Sequence, residues 1–84
     1  MAEKIELTVV VNGQSTQVAA NEEAPLLTVV EKALEQTGNT GQPADNWELR
    51  NSLGVELDVQ KKVEDFHFEP GTQLFLNLKA GVGG

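Results

Sequence analysis

The residues best suited to chemistry are the last two of the sequence, Gly83 and Gly84. Ordering a glycine costs more backbone entropy than ordering any other residue, so a terminal pair of glycines contributes nothing to a folded body. Without Cβ atoms, however, the pair can carry its carboxylate in extended backbone into a channel too narrow for larger side chains. It is therefore interpreted as either a frayed end or a reactive end presented to another protein.

The remaining composition leaves few other chemistries open. The absence of cysteine excludes disulfides, thiolate metal sites and cysteine nucleophiles, and the one histidine, His67, cannot form a histidine cluster. No carboxylate pair has the context of a catalytic acid and base. The net charge of -7 repels nucleic acids and anionic membranes. We therefore predict a protein that is not an enzyme, holds no metal or cofactor, and binds neither nucleic acid nor membrane.

The length and the N-terminus predict one domain in a soluble, cytoplasmic protein. A chain of 84 residues has room for one modest core. The N-terminal run "MAEKIELTVVV" has no basic region followed by a long apolar block, so it does not resemble a secretory signal. No apolar run approaches the roughly 20 residues that span a bilayer. We expect a monomer.

The first half of the sequence predicts a β-hairpin followed by a helix. Apolar residues alternate up to Val11, and Asn12-Gly13 then favours a type I′ turn into a second strand. Further along, Pro25 suits the first turn of a helix and Gly38 suits the position after its end. The apolar residues expected on one face of this helix are Leu26, Leu27, Val30, Ala33 and Leu34.

The second half predicts short strands, a loop and a final long strand. Trp47 and Leu49 alternate with polar residues, and "VELDV" is interpreted as a second short strand or edge piece. In the final strand, Phe75 and Asn77 are predicted to point outward. The residues expected to fill the core from the preceding loop and the final strand are Val63, Phe66, Phe68, Leu74, Leu76 and Leu78. This order predicts an α+β fold, the β-grasp, in which one helix packs on a mixed four- to five-stranded sheet whose last strand is central and parallel to the first.

Several segments in this order resemble ubiquitin-like modifiers, and they extend over about positions 4 to 84. The matching segments are "LEQTG", "QPADNWEL", "GVELD" and "VEDFHFEPGTQLFLNLKAGVGG". The sequence is most similar to stand-alone bacterial ubiquitin-like proteins. The resemblance implies a β-grasp domain over residues 1–79 and a flexible tail over residues 80–84.

The resemblance also implies a function and a set of partners. In such proteins an activating enzyme uses ATP and Mg²⁺ to adenylate the terminal carboxylate, here that of Gly84, and a cysteine thiolate then attacks the mixed anhydride. The expected partners are an activating enzyme, a conjugating enzyme, a JAB-type or other deconjugating peptidase, and lysines of target proteins. If a precursor extends beyond Gly84, a peptidase must first expose the diglycine.

Two departures from ubiquitin argue for a dedicated set of enzymes. Ubiquitin's tail carries arginines, whereas this tail offers Lys79, Ala80, Gly81 and Val82 for recognition. The apolar surface through which ubiquitin meets most receptors is also absent, because the outward positions of the third strand are Glu48 and Arg50 and only Phe75 and Leu53 remain as apolar candidates. The residues assigned to the corresponding surface are Glu48, Arg50, Leu53, Phe75 and Asn77.

Two other functions remain open at this stage. A sulfur carrier would share the fold, the diglycine and the adenylation, but would form a C-terminal thiocarboxylate. A non-covalent β-grasp interaction module would not use the tail at all.

For individual side chains, Trp47 is predicted to be buried and His67 to be half-exposed with no function, whereas Phe75 is left open between packing and partner contact. The lysines are expected to be solvated.

Overall fold

The computed structural model describes residues 4–81. These residues form a four-stranded sheet with the spatial order β2-β1-β4-β3, in which β1 and β4 are parallel and the two outer pairs are antiparallel. The elements are β1 (Lys4–Val11), β2 (Gln14–Asn21), helix α1 (Leu27–Gln36), β3 (Trp47–Arg50) and β4 (Gln73–Leu78), with 3-10 turns at Ala44–Asn46 and Val63–Phe66. The predicted β-grasp, with a central final strand parallel to the first, is confirmed.

The hairpin forms as the sequence predicts. Asn12 and Gly13 both have positive φ angles, 50° and 84°, and Val11 lies opposite Gln14. Such a turn twists in the same sense as its strands, which fixes the register of the whole pair. Alternate residues of β1 are buried, so one face of the sheet packs on α1.

Helix α1 begins later than predicted and ends where predicted. The N–H groups of Leu26 and Leu27 donate to Lys61 O at 2.8 Å and Val59 O at 2.9 Å, which ties this segment to the later loop before the helix starts. Pro25 lies before the helix, where it forms an isolated bridge with Lys62, and not in the first turn.

The end of α1 is a Schellman motif centred on Gly38. Its N–H donates to Glu35 O at 3.2 Å, the Asn39 N–H donates to Leu34 O at 2.8 Å, and Gly38 has a φ of 74°. The two bonds satisfy carbonyl groups that the end of a helix would otherwise leave unpaired.

The run "VELDV" forms an edge piece and not a strand of its own. It pairs with β3 through one bridge, Arg50 to Glu56, beside a bond from Leu57 N–H to Leu49 O of 2.8 Å. The side-chain oxygen of Asn51 accepts bonds from the N–H groups of Leu53 and Val55, at 2.9 and 3.0 Å. These turn bonds compete with further strand pairing.

The aromatic side chains divide between core and surface. Trp47 is 6% exposed, as predicted, and its indole Nε1 has no hydrogen-bond partner among the described residues. Phe66 and Phe68 were expected to be buried but are half-buried, with their rings stacked 5.2 Å apart. Between them, His67 adopts the left-handed conformation and is exposed, more than the half-exposure predicted. Its turn keeps both rings at the edge of the core.

Candidate functional site

Strand β4 is a rigid support for the end of the chain. It pairs with β1 on one side and β3 on the other. Its residues Leu74 and Leu76 are fully buried in the core. A strand held by neighbours on both sides and by buried leucines has a fixed direction, so residues that follow Leu78 leave the body at a defined place.

Among residues 4–81, the hydrogen bond to the body that lies furthest along the chain occurs just after β4. The Lys79 N–H donates to Asn46 O at 2.8 Å, and the Asn46 side chain donates to Gln42 Oε1 at 2.8 Å. Lys79, Ala80 and Gly81, predicted to be recognised in the tail, are exposed. Gly81 has a φ of 84°, which turns the chain in a way that L side chains rarely allow.

The remaining tail residues, Val82, Gly83 and Gly84, lie outside the described residues. The predicted role of the terminal carboxylate and the proposed boundary between the domain and its tail stay predictions.

The outer face of the sheet brings together four of the five residues predicted as a partner surface. Across β3 and β4, Glu48 lies opposite Asn77 and Arg50 lies opposite Phe75. The Arg50 guanidinium pairs with the Glu48 carboxylate at 3.2 Å, and its Nη1 also donates to Gly54 O at 2.7 Å. The ion pair places two polar groups at the centre of this surface.

The fifth residue, Leu53, lies in the turn to which Arg50 is hydrogen-bonded. Its side chain is 86% exposed, and Val55 nearby is 55% exposed. Phe75 is half-buried, so it takes part in packing and also presents an edge to solvent. Sequence reasoning missed Val55 and also Val10, the half-buried β1 partner of Phe75. The alternation of β1 could have placed Val10 on this outer face.

Residues 4–81 contain neither a cluster of metal-ligating side chains nor a membrane-spanning helix. No group of three or more histidine, cysteine, aspartate or glutamate residues within residues 4–81 is arranged to hold a metal ion. Over the same residues, no helix is both long enough and apolar enough to cross a membrane.

The fold of residues 4–81 is the ubiquitin-like β-grasp. A designed protein based on ubiquitin superposes with a TM-score of 0.77 at 23% identity, covering 96% of this chain and 95% of that one. A ubiquitin-like domain from Arabidopsis thaliana gives 0.75 at 18% identity, covering 98% and 84%. The ubiquitin of Caldiarchaeum subterraneum gives 0.74 at 17%, covering 95% and 99%. At these identities the similarity shows the fold alone.

The chain belongs to the family described as "Protein of Unknown function (DUF2604)", whose family model matches residues 1–84. It is also 57% identical over 81 residues to "Uncharacterized protein y4jI" of Sinorhizobium fredii. That match covers 96% of this chain and 62% of the relative, so the chain spans less than two thirds of the relative's length.

Proposed function

We propose that this chain is a ubiquitin-like modifier that is adenylated at the Gly84 carboxylate and joined to lysines of target proteins. The observation that carries the proposal is the exit of the chain from β4. The last hydrogen bond to the body among the described residues is the one from Lys79, and the next residues, Ala80 and Gly81, are exposed. A fixed body that releases its end at one place suits delivery of that end to another protein.

The proposed chemistry uses the chain only as a substrate. A carboxylate oxygen of Gly84 attacks the α-phosphorus of ATP, and pyrophosphate leaves, which forms an acyl adenylate. A cysteine thiolate of the activating enzyme attacks the acyl carbon and expels AMP, which gives a thioester. After transfer to a conjugating enzyme, a neutral lysine amine of the target attacks, the thiolate leaves, and an isopeptide bond remains. The catalytic groups and the Mg²⁺ all belong to the partners.

The composition of the tail supports a dedicated partner enzyme that binds the tail in a narrow channel. Gly81, Gly83 and Gly84 have no Cβ, so the backbone can approach the walls of a narrow channel closely. Residues 80–84 carry no charged side chain, and the charge next to them is that of Lys79. We infer that a dedicated activating enzyme, a conjugating enzyme and a JAB-type or other peptidase act on this protein. We also infer that the protein is a monomer and that these reactions take place in the cytoplasm.

The outer sheet face is proposed as the surface that these partners contact. Leu53 and Val55 offer exposed apolar contacts next to the paired charges of Arg50 and Glu48. Exposed apolar side chains beside charged groups are typical of protein interaction sites. The direction of the tail and this face together would orient the modifier on an enzyme.

The test is recovery of covalent adducts from cells that contain the natural partner enzymes. An N-terminally tagged copy is purified under denaturing conditions and digested with trypsin, which cleaves after Lys79. A modified target lysine then carries a remnant running from Ala80 to Gly84. Deleting Gly84 is expected to remove every adduct, whereas Gly41→Ala, at an exposed position with open space around it, should leave them intact.

The other two functions give different results in the same experiment. A sulfur carrier would yield free protein heavier by the difference between sulfur and oxygen at its terminus, with no remnant on target lysines. An interaction module would yield neither product, and deletion of Gly84 would leave its bound partners unchanged. Either result would overturn the proposal.

A further inference from the structure

The turn between β1 and β2 places an asparagine directly before a glycine. Asn12 and Gly13 are both exposed, with positive φ angles of 50° and 84°. This dipeptide can react with itself, because the main-chain nitrogen that follows an asparagine can attack the carbon of its side-chain amide. A glycine nitrogen attacks most readily, since no Cβ hinders its approach. Apart from the chain neighbours of Gly13, no described atom lies within 4 Å of where its Cβ would be, so the turn is open to water.

The side chain of Asn12 is less restrained than those of most other asparagines. The chain has six asparagines, and four of their side chains are hydrogen-bonded, namely those of Asn21, Asn39, Asn46 and Asn51. A reaction that must first break one such bond is slowed by about two- to tenfold. Within residues 4–81 the side chains of Asn12 and Asn77 make no such bond. Asn77 is followed by Leu78 in the central strand, whose side chain crowds the attacking nitrogen.

The attacking group, the Gly13 nitrogen, is also available. The pair that closes the hairpin is Val11 with Gln14, and within residues 4–81 the Gly13 N–H donates no hydrogen bond. Rigidity opposes the reaction, because Asn12 must rotate out of its turn conformation to bring its amide carbon to this nitrogen. The tip of a turn opens at a lower cost in free energy than the strands beside it. We therefore expect the folded protein to react, at a lower rate than the unfolded chain.

This turn lies close to the place where the chain leaves the body. The Asn12 N–H donates to Leu76 O of β4 at 3.4 Å. Asn12 also lines a cavity of about 220 Å³ together with Trp47 and Leu78. A change in the length of the turn would therefore act on the end of β4 from which the tail begins.

We propose that Asn12 is a site of spontaneous deamidation in the folded protein. The Gly13 nitrogen loses its proton to solvent base and bonds to Cγ of Asn12, the Cγ–Nδ2 bond breaks, and ammonia leaves, which gives a five-membered succinimide. Water then opens the ring at one of its two carbonyl groups. Opening at Cγ gives aspartate, whereas opening at the main-chain carbonyl gives isoaspartate, in which the chain runs through Cγ. Water is the co-reactant, so the modification needs no partner and does not depend on Gly84.

The two products should affect the hairpin differently. Aspartate keeps the length of the main chain and tolerates the left-handed conformation as asparagine does, so the turn is retained. Isoaspartate adds one carbon to the main chain of a two-residue turn, so the pair of Val11 with Gln14 loses its register. The isoaspartyl form therefore loosens the end of β1 that contacts β4 at Leu76.

The test is incubation of the full chain in mildly alkaline buffer, followed by tryptic digestion and mass spectrometry with electron-transfer fragmentation. Cleavage after Lys4 and Lys32 gives one peptide that contains both Asn12 and Asn21. We expect this peptide to become heavier by the difference between OH and NH₂, with aspartate and isoaspartate both at position 12. Asn12 should react at least about tenfold faster than Asn51, whose side chain accepts two hydrogen bonds.

Three results would overturn the proposal. They are an unchanged Asn12, equal rates at Asn12 and Asn51, and a reaction at Asn12 that occurs in urea but not in the folded protein. The last result would mean that the hairpin protects this position completely.

Two matched variants locate the reaction. Asn12→Asp removes the amide and should abolish the gain in mass of this peptide. Asn21→Asp makes the same change in charge within the same peptide and keeps the oxygen that accepts the Glu23 N–H at 2.9 Å, so the gain should persist. A gain retained in Asn12→Asp and lost in Asn21→Asp would assign the reaction to Asn21 instead.

Hydrogen exchange distinguishes the effects of the two products. The isoaspartyl and aspartyl forms are separated by chromatography, and Asn12→Asp serves as the reference for the aspartyl form. We expect faster exchange of the Gln14 amide in the isoaspartyl form and no change in Asn12→Asp, whereas the Val18 amide further along β2 should exchange alike in both. Equal exchange at Gln14 in the two forms would contradict the loosening of the hairpin.

Discussion

At the scale of single residues, burial decides what a leucine contributes to stability. Leu76 in the central strand is 0% exposed, whereas Leu53 in the turn after β3 is 86% exposed. We expect Leu76→Ala to lower the free energy of unfolding by about 2–5 kcal/mol, because it removes buried methyl groups and leaves a cavity. Leu53→Ala, which deletes the same atoms, should change it by less than about 0.5 kcal/mol. Urea unfolding measures both, and similar losses would contradict the assigned orientation of these residues.

Alternation in the sequence predicted most buried residues but not partial burial. Leu74 and Leu76 were expected in the core and are buried there, because period-two patterning assigns each side chain to a face of the sheet. Phe66 and Phe68 were expected to be buried, but they stack on each other at the core's edge. Their placement depends on the left-handed turn at His67, which local sequence does not specify.

At the scale of elements, the Schellman motif at the end of α1 depends on one glycine. Gly38 has a φ of 74° and no atom within 4 Å of where a Cβ would lie, so a side chain there would be strained without colliding. We expect Gly38→Ala to cost about 1 kcal/mol of unfolding free energy. Gly41→Ala should cost less, because position 41 also has open space around it but its φ lies outside the range of +20° to +160° that strains L side chains. Thermal or urea unfolding of both variants checks this, and equal costs would show that backbone conformation is not the cause.

Element type was more predictable than element boundaries. The hairpin and the end of α1 follow from Asn12-Gly13 and Gly38, whose conformations are set by local chemistry. The start of α1 was placed too early because Pro25 pairs in a β-bridge with Lys62, a residue more than thirty positions away that local sequence does not reveal. For "VELDV" the sequence left open a short strand or an edge piece, and the structure shows the edge piece with one bridge to β3. The Asn51 side chain accepts from the Leu53 and Val55 N–H groups, which competes with a longer ladder.

At the scale of the whole molecule, the candidate surfaces depend on distant segments that meet only in the fold. The outer sheet face combines β3 with β4 and includes Leu53 of the turn to which Arg50 is hydrogen-bonded. The sequence could indicate Glu48, Arg50, Leu53, Phe75 and Asn77 through the resemblance to ubiquitin-like modifiers. Local pattern says less about which strand edges stay free, because that follows from the order of strands in the sheet.

The proposed division into a domain over residues 1–79 and a tail over residues 80–84 makes a further prediction about the whole molecule. Within residues 4–81 the Lys79 N–H makes the final hydrogen bond to the body, and Ala80 and Gly81 are exposed. Deleting residues 80–84 should therefore change the free energy of unfolding by less than about 0.5 kcal/mol. Deleting Lys79 as well removes its bond to Asn46 O and should cost a further 0.5–1.5 kcal/mol, roughly the net contribution of one hydrogen bond.

Paired urea titrations of the full chain and the two truncated chains measure this boundary. Because both truncated chains lack Gly84, neither should form adducts, while the shorter deletion keeps the stability of the full chain. Loss of adducts without loss of stability would show that the body supplies the fold and that the end supplies the reactive carboxylate. A loss of stability already complete on removal of residues 80–84 would instead mean that the tail packs on the body, and a packed tail is poorly suited to enter the nucleotide site of an activating enzyme.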